Sequence, residues 1–335
     1  MSSLSIADNW MIFKDVLKKS VVDFWTINKY PEVSEAIKLL GLKNVKKVIK
    51  GCPDAVLIVT EDKVVRIPND ELSLLRCRNN RSILEGLANT SIAGFVPKFL
   101  SEEKLQDRWC FSETRLFGFS LAVPVSLIDE FIVQASDFLL SFQKETAKEI
   151  RVDNGNFEKL AGADFERLAF YLDESQKKDL KKIKDNVQKQ LSGRLIKTVW
   201  MHGDYKIENI LFDAKSRKIK GVIDWDLSNK EVLPLLDIFF LLIYKHKLVT
   251  GESVAKSLTD RYLKGNFTSW EQQIIKAHLD VLGLPGDLVK PMMVLFWLDH
   301  VLHRYRQIFL MDASDKKDWL NNNVVGIIDA IKGKI

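Results

Sequence analysis

The residues from Val199 to Trp225, VWMHGDYKIENILFDAKSRKIKGVIDW, constrain the fold more than any other stretch of the chain. The apolar run KTVWM has the composition of a buried strand and leads into a short charged turn. Two further β-type runs, NILF and KGVI, flank the polar segment DAKSRK, which is the pattern of a hairpin. Such a hairpin is expected to fold Asp224 back beside Asn209. Asp204 and Asn209 lie five positions apart, and Asp224 follows Asp204 by twenty. Five is the interval at which one loop offers a carboxylate to an attacking hydroxyl and an amide oxygen to magnesium, so the spacing points to phosphoryl-transfer chemistry.

Composition narrows the class without identifying it. Hydrophobic residues make up 46% of the 335 positions and charged residues 28%, enough apolar material for one large domain or two lobes with a cleft. The net charge of +5 comes from segments such as KKDLKKIKDNVQKQ, in which acids alternate with lysines as on a solvated helix face, so no nucleic-acid partner is indicated. Cys52, Cys77 and Cys110 form no C-x-x-C pair, which leaves neither a disulfide framework nor a zinc site and suggests a reducing cytoplasm. The longest apolar run, Val232 to Tyr244, contains Asp237 and is short of the roughly 20 residues a membrane span needs.

Read in order, residues 1–40 have helix-like apolar spacing with a break at Pro31, followed by three short β-rich runs, NVKKVIK, DAVLIVT and KVVRIP. Glu61 and Asp62 join the last two in a tight hairpin. Asn69 and Asp70 are good caps for a helix from about Glu71 toward Asn89, and FVPKFL and RWCFSE complete the sheet. From Val125 the pattern is helical apart from KTVWM and the hairpin, with DNGNF at 153–157 expected as a loop.

His202, Asp204, Lys206, Glu208 and Asn209 stand as H-G-D-Y-K-I-E-N, which resembles the H-R-D-L-K-P-E-N catalytic loop of protein kinases. Gly203 in second place, and I-D-W where protein kinases have D-F-G, are similar to the aminoglycoside phosphotransferase and choline kinase relatives of that fold. The resemblance implies an α+β, two-lobed, protein-kinase-like fold with a small antiparallel β N-lobe and a mostly helical C-lobe. The N-lobe is expected over 1–117, with the helical extension 1–40. The C-lobe follows over 118–335, with the catalytic loop at 199–226 and a helical substrate subdomain at 245–335.

The same resemblance implies roles for named residues. Asp204 is the expected base toward the acceptor hydroxyl, and Lys206 a point charge within reach of the transferring phosphate. Asn209 and Asp224 are the expected ligands of Mg2+, a hard ion that keeps waters and phosphate oxygens in its remaining positions. His202 is expected as a buried brace, and Asp237, in P-x-x-D-I, as an anchor for the catalytic loop. On the nucleotide side, Arg66 on the third strand is the candidate phosphate ligand, Gly51 marks the turn where a phosphate-covering loop would lie, and Glu113 to Gly118, with Arg115, is the expected hinge. Relatives carry an R-E pair on the first long helix, but that register holds Asn79 and Asn80 here, leaving Glu85 or Glu71 as the acid to pair with Arg66. Asp226 is either a site carboxylate or a loop cap. Asp299, His300 and His303 are candidate acceptor contacts or part of a solvated helix face.

The reaction so implied is transfer of the γ-phosphoryl group of ATP or GTP to a hydroxyl of a sugar, aminoglycoside or amino-alcohol type acceptor. The segment after Asp224 is too short to be the activation segment of a protein kinase. The alternative is a pseudokinase-like module that binds nucleotide without turnover. Oligomeric state is not legible.

Overall fold

The computed structural model describes residues 21–22, 31–49, 55–120, 127–309 and 313–332. Contacts divide the chain into two compact units, one formed by residues up to Gly118 together with Lys220–Leu227, the other by Phe119–Ile219 and Ser228 onward.

The first unit is built on a six-stranded antiparallel sheet in the order β1-β2-β3-β4-β6-β5. Its strands are β1 (Val21–Val22), β2 (Lys47–Ile49), β3 (Ala55–Val59), β4 (Lys63–Pro68), β5 (Phe99–Leu105) and β6 (Arg108–Thr114). Two helices accompany it, α1 (Pro31–Leu39) and α2 (Glu71–Leu87). The hairpin expected around Glu61 and Asp62 forms, with Val59 opposite Val64. Its turn is closed by the Thr60 hydroxyl, which donates to Asp62 and accepts from the Lys63 N–H. Val48, Val56, Ile58, Val65 and Ile67 pack with Val33 and Ala36 of α1 into one core. Asp70 caps α2 by accepting from the Ser73 N–H at 2.8 Å, while the Ser73 hydroxyl accepts from the Asp70 N–H, a reciprocal capping box. The buried face of α2 runs through Ser73, Cys77, Asn80, Leu84 and Leu87, a helical stripe with an amide in the middle of it. Within 1–40, helix is confirmed at Pro31–Leu39, whereas Val21–Val22 is a strand paired with β2; the rest of 1–30 lies outside the described residues.

The second unit is mostly helical, and its main elements are α3 (Ile128–Thr146), α4 (Glu174–Leu191), α5 (Leu236–Thr250), α6 (Ser269–Leu282) and α7 (Val289–Phe309). KTVWM forms the end of β8 (Leu195–Met201), the central strand of a three-stranded sheet with β7 (Lys148–Arg151) and β11 (Asn229–Val232). Neither flanking strand follows from the sequence pattern, because KEIR and NKEV carry charges where an alternating strand would be apolar. The expected hairpin appears as β9 (Ile210–Phe212) and β10 (Ile219–Val222), through which the chain passes from the second unit back to the first. DNGNF is not a loop: Asp153 caps a helical turn over Asn154–Phe157 by accepting from the Asn156 N–H at 2.7 Å. Helix α5 is buried on every side from Leu236 to Tyr244, as its unbroken apolar sequence requires, and packs against α3 and α7. No single helix among the described residues is long and apolar enough to cross a membrane.

Candidate active site

The second unit carries the loop that follows β8. The chain leaves Met201 through Gly203, whose φ of +85° lies where a side chain is strained, so glycine here is a backbone requirement. The N–H groups of His202 and Gly203 donate to the two oxygens of Asp237 at 2.7 and 3.0 Å. Asp237, in the first turn of α5 and 1% exposed, thereby ties the loop to the buried half of that helix. Burial pushes its carboxyl up to about 7, against the pull of the two N–H donors and with the charges of Asp299 and Asp204 adding to the rise.

His202 is fully buried and accepts from the Asp204 N–H at Nδ1, 3.2 Å away. Its carbonyl accepts from the Ser228 hydroxyl at 3.0 Å. Tyr205, also buried, donates its hydroxyl to the Ala135 carbonyl and sets its ring against the imidazole. The loop is thus fixed on both sides of Asp204.

Asp204 itself is only partly covered, with 16% of its side chain exposed. Its Oδ2 accepts from Lys206 Nζ at 2.6 Å and from Asn209 Nδ2 at 2.9 Å. Asn209 Nδ2 donates also to the Asp204 carbonyl at 2.9 Å, which turns the amide oxygen Oδ1 away from this carboxylate. That oxygen is the hard neutral donor a magnesium ion accepts, so the residue fits the role. Both donors act on Oδ2, so a hydroxyl approaching Oδ1 meets an oxygen that neither group engages. Lys206 Nζ lies 5.8 Å from the centroid of the Tyr244 ring, which stacks on Phe240 at 4.4 Å. Glu208 has one carboxylate oxygen buried without a hydrogen-bond partner among the described residues. Burial raises its pKa, opposed by a backbone hydrogen bond and by Lys206 and reinforced by Asp204.

The first unit carries a second cluster. Arg66 of β4, 9% exposed, donates from Nη2 to Glu113 Oε1 at 3.2 Å and from Nη1 to Asp224 Oδ1 at 3.0 Å. Burial works against the charged guanidinium, but the negative charges of Glu113, Asp224 and Asp226 outweigh it and hold Arg66 well above its ordinary pKa. Asn80 of α2 donates to the other oxygen of Glu113 at 2.7 Å, and Asn79 donates to the Asp226 carbonyl at 3.0 Å. Asp224 adopts φ +71°, a left-handed conformation that few non-glycine residues take. The buried Trp225 beside it is pegged by an indole N–H to the Val222 carbonyl at 2.9 Å. The side chain of Asp224 is 40% exposed, an accessible carboxylate suited to a hard divalent ion.

Several expected partners lie elsewhere. Glu85 does not reach Arg66: it faces outward and pairs with Arg81 one turn earlier at 2.9 Å, while Glu71 is exposed in the first turn of α2. The acids on Arg66 come from β6 and from the I-D-W segment instead. Arg115 donates to the Thr60 carbonyl at 2.7 Å and covers the Phe117 ring, so it braces the β3–β4 turn. Gly51 lies outside the described residues. In the second unit Asp299 pairs with His303 at 3.1 Å. His300 belongs to the core, not to a solvated face: it is 6% exposed, stacked on Phe296 and edge-on to Phe240 and Tyr244. Ser228 and Tyr244 lie outside the motif, Glu208 stands within it, and Asn80 occupies the register where the resemblance implies an acid.

The family model described as the phosphotransferase enzyme family matches residues 51–270. No curated protein matches the chain in sequence. Among solved structures, the chain is similar to the GDP complex of wild-type aminoglycoside 2'-phosphotransferase-IIIa, with 15% identity, coverage of 90% of this chain and 98% of that one, and a TM-score of 0.57. It is similar also to the apo form of a thermostable mutant of aminoglycoside phosphotransferase APH(4)-Ia, with 12% identity, 90% and 99% coverage and a TM-score of 0.55. A third structure is APH(3'')-Id from Streptomyces rimosus ATCC10970 in complex with ADP and streptomycin, with 15% identity, 82% and 97% coverage and a TM-score of 0.50. Identities this low speak to the fold, and the α+β kinase-like architecture expected from the motif is the one shared.

Proposed function

The chain belongs to the phosphotransferase enzyme family, and from that premise we propose that it transfers the γ-phosphoryl group of ATP or GTP to a hydroxyl of a sugar, aminoglycoside or amino-alcohol type acceptor in the cytoplasm. One observation carries the reading: Asp204 stands on a loop pinned by Asp237, with one oxygen engaged by Lys206 and Asn209. Phosphoryl transfer asks little covalent work of a protein; it needs in-line placement of the acceptor and cancellation of negative charge. Asp204 orients the acceptor hydroxyl through Oδ1 and receives its proton late in transfer. Lys206, held beside Asp204 at 2.6 Å, offers its charge to the transferring group. Arg66 has N–H donors beyond the two used by Glu113 and Asp224, and these suit phosphate oxygens.

Asn209 and Asp224 are the residues that would hold Mg2+, by an amide and a carboxylate oxygen. When bound, the ion neutralises charge on the β- and γ-phosphate oxygens. The aminoglycoside class is the one supported by a similar structure, that of APH(3'')-Id in complex with ADP and streptomycin. A module that binds nucleotide without turnover is not favoured by a loop that keeps Asp204, Lys206 and Asn209 in mutual contact. The test is to incubate the full chain with Mg2+ and γ-labelled ATP or GTP against an array of sugars, amino alcohols and aminoglycosides. Label in an acceptor supports the proposal; label in none, with no nucleotide consumed, refutes it.

A further inference from the structure

We propose that Glu113 on β6 is the positioning residue for Arg66, oriented by Asn80 of α2, so that the counter-charge of the phosphate-binding arginine is built into the sheet and not supplied by the helix. The inference rests on the reading of Arg66 as a phosphate ligand.

Sheet register makes the pair. In the β4–β6 ladder Val64 stands opposite Glu113 and Arg66 opposite Phe111. Residues 64 and 66 share a face, so Glu113 is the diagonal neighbour of Arg66 on that face, within reach of two long side chains. A guanidinium that is 9% exposed needs a fixed anion, because an unpaired buried charge is strongly destabilising. Asp224 cannot serve alone. Its side chain is 40% exposed and its proposed task is to ligate a cation, which draws its charge away from Arg66. The Glu113 side chain is 7% exposed and has both oxygens engaged, one by Arg66 at 3.2 Å and one by the Asn80 amide at 2.7 Å.

Asn80 explains why the acid is on the strand. It lies on the buried stripe of α2, facing Glu113, at the position where the family resemblance implies a helix carboxylate. A glutamate there would set two buried carboxylates against each other, whereas the neutral amide donates to the acid already present. Where a helix supplies the acid, moving the helix breaks the pair. Here Arg66 and Glu113 are on adjacent hydrogen-bonded strands, and their pairing does not depend on α2 supplying a charge.

The experiment measures equilibrium binding of Mg-ATP and Mg-GTP, with the bare nucleoside as reference, to the full-length chain and to Arg66→Ala, Glu113→Gln, Asn80→Ala, Asn80→Glu and the double variant Asn80→Glu/Glu113→Gln. Glu113→Gln is expected to weaken triphosphate binding about tenfold or more and leave nucleoside binding within about threefold. Asn80→Ala, which keeps every charge, is expected to weaken it about three- to tenfold and remains informative should Glu113→Gln fail to fold. Asn80→Glu alone weakens binding at least as much as Glu113→Gln, and the double variant returns to within about threefold of wild type. If Arg66→Ala abolishes triphosphate binding while Glu113→Gln and Asn80→Ala leave it unchanged, or if the double variant binds no better than Glu113→Gln, the positioning role is overturned and the function stands. If the wild-type chain binds neither triphosphate, or Arg66→Ala binds normally, the reading of Arg66 fails and this inference with it.

Discussion

Gly203→Ala isolates the backbone demand of the loop after β8 in a single methyl group. With φ at +85°, an alanine at this position has two courses. It can hold the conformation and carry a strain of about 1–3 kcal/mol. Alternatively, it can rotate to negative φ and lose the N–H bond to Asp237 Oδ1, a charge-assisted bond worth about 1.5–3 kcal/mol. Both courses converge on about 2 kcal/mol. At about 2–4 °C per kcal/mol for a cooperative unit of this size, the melting temperature should fall by about 4–8 °C. Activity separates the two courses. Strain held in place spares turnover, whereas rotation displaces Asp204 next in sequence, and a misplacement of about 1 Å costs about 10²-fold. The control is Gly203→Asn. Asparagine is larger, but it visits left-handed conformations several-fold more readily than alanine, which should recover about 1 kcal/mol. Urea unfolding of the three proteins, with nucleotide turnover measured in parallel, checks both effects. If alanine is neutral, or asparagine is as damaging as alanine, the argument that glycine serves the backbone here is wrong.

Further outcomes follow from other parts of the molecule. His278 is fully buried between α6 and α3, with Nε2 3.0 Å from the Ser136 hydroxyl, and burial lowers its pKa to about 4. A histidine that stays neutral in the fold but takes a proton when unfolded costs stability as the pH falls. The loss should begin near pH 6.5 and reach about 3 kcal/mol by pH 4, and denaturant titrations of wild type and His278→Gln across that window should show a shallower slope in the variant. Lys206→Ala should lower turnover about 10²–10³-fold with nucleotide affinity little changed, read from a kcat and KM comparison; an effect on KM alone would move Lys206 out of the transfer step. Asp70→Ala removes the capping box of α2 and should cost about 1 kcal/mol in urea unfolding without altering nucleotide binding.

The elements most legible in the sequence are those whose local signals agree with their packing. Glu61-Asp62 between two β-branched runs, and Asp70 ahead of a helical stripe, encode β3, β4 and α2 directly. The H-G-D-Y-K-I-E-N spacing likewise places Asp204 and Asn209 in contact, because the loop brings them together within a few residues. Strands β7 and β11 escape, since KEIR and NKEV become strands only through pairing with β8, a tertiary choice their composition does not announce. Asp153 heads a helical turn although glycine and two asparagines suggest a loop, because a cap can outweigh weak propensity over so short a span. The family resemblance implies a helix-borne partner for Arg66, whereas the partner stands across the sheet. Only the register that sets Glu113 opposite Val64 brings the two together, and no one-dimensional pattern contains it.

In the proposed function, Asp204 serves the acceptor hydroxyl and not the nucleotide. The most direct test compares Asp204→Asn with wild type, measuring Mg-ATP and Mg-GTP affinity and the rate of γ-phosphoryl transfer to an acceptor identified in the array. The account predicts nucleotide affinity within about threefold of wild type and a transfer rate lower by about 10²–10⁴-fold. Transfer at a near-normal rate would contradict it.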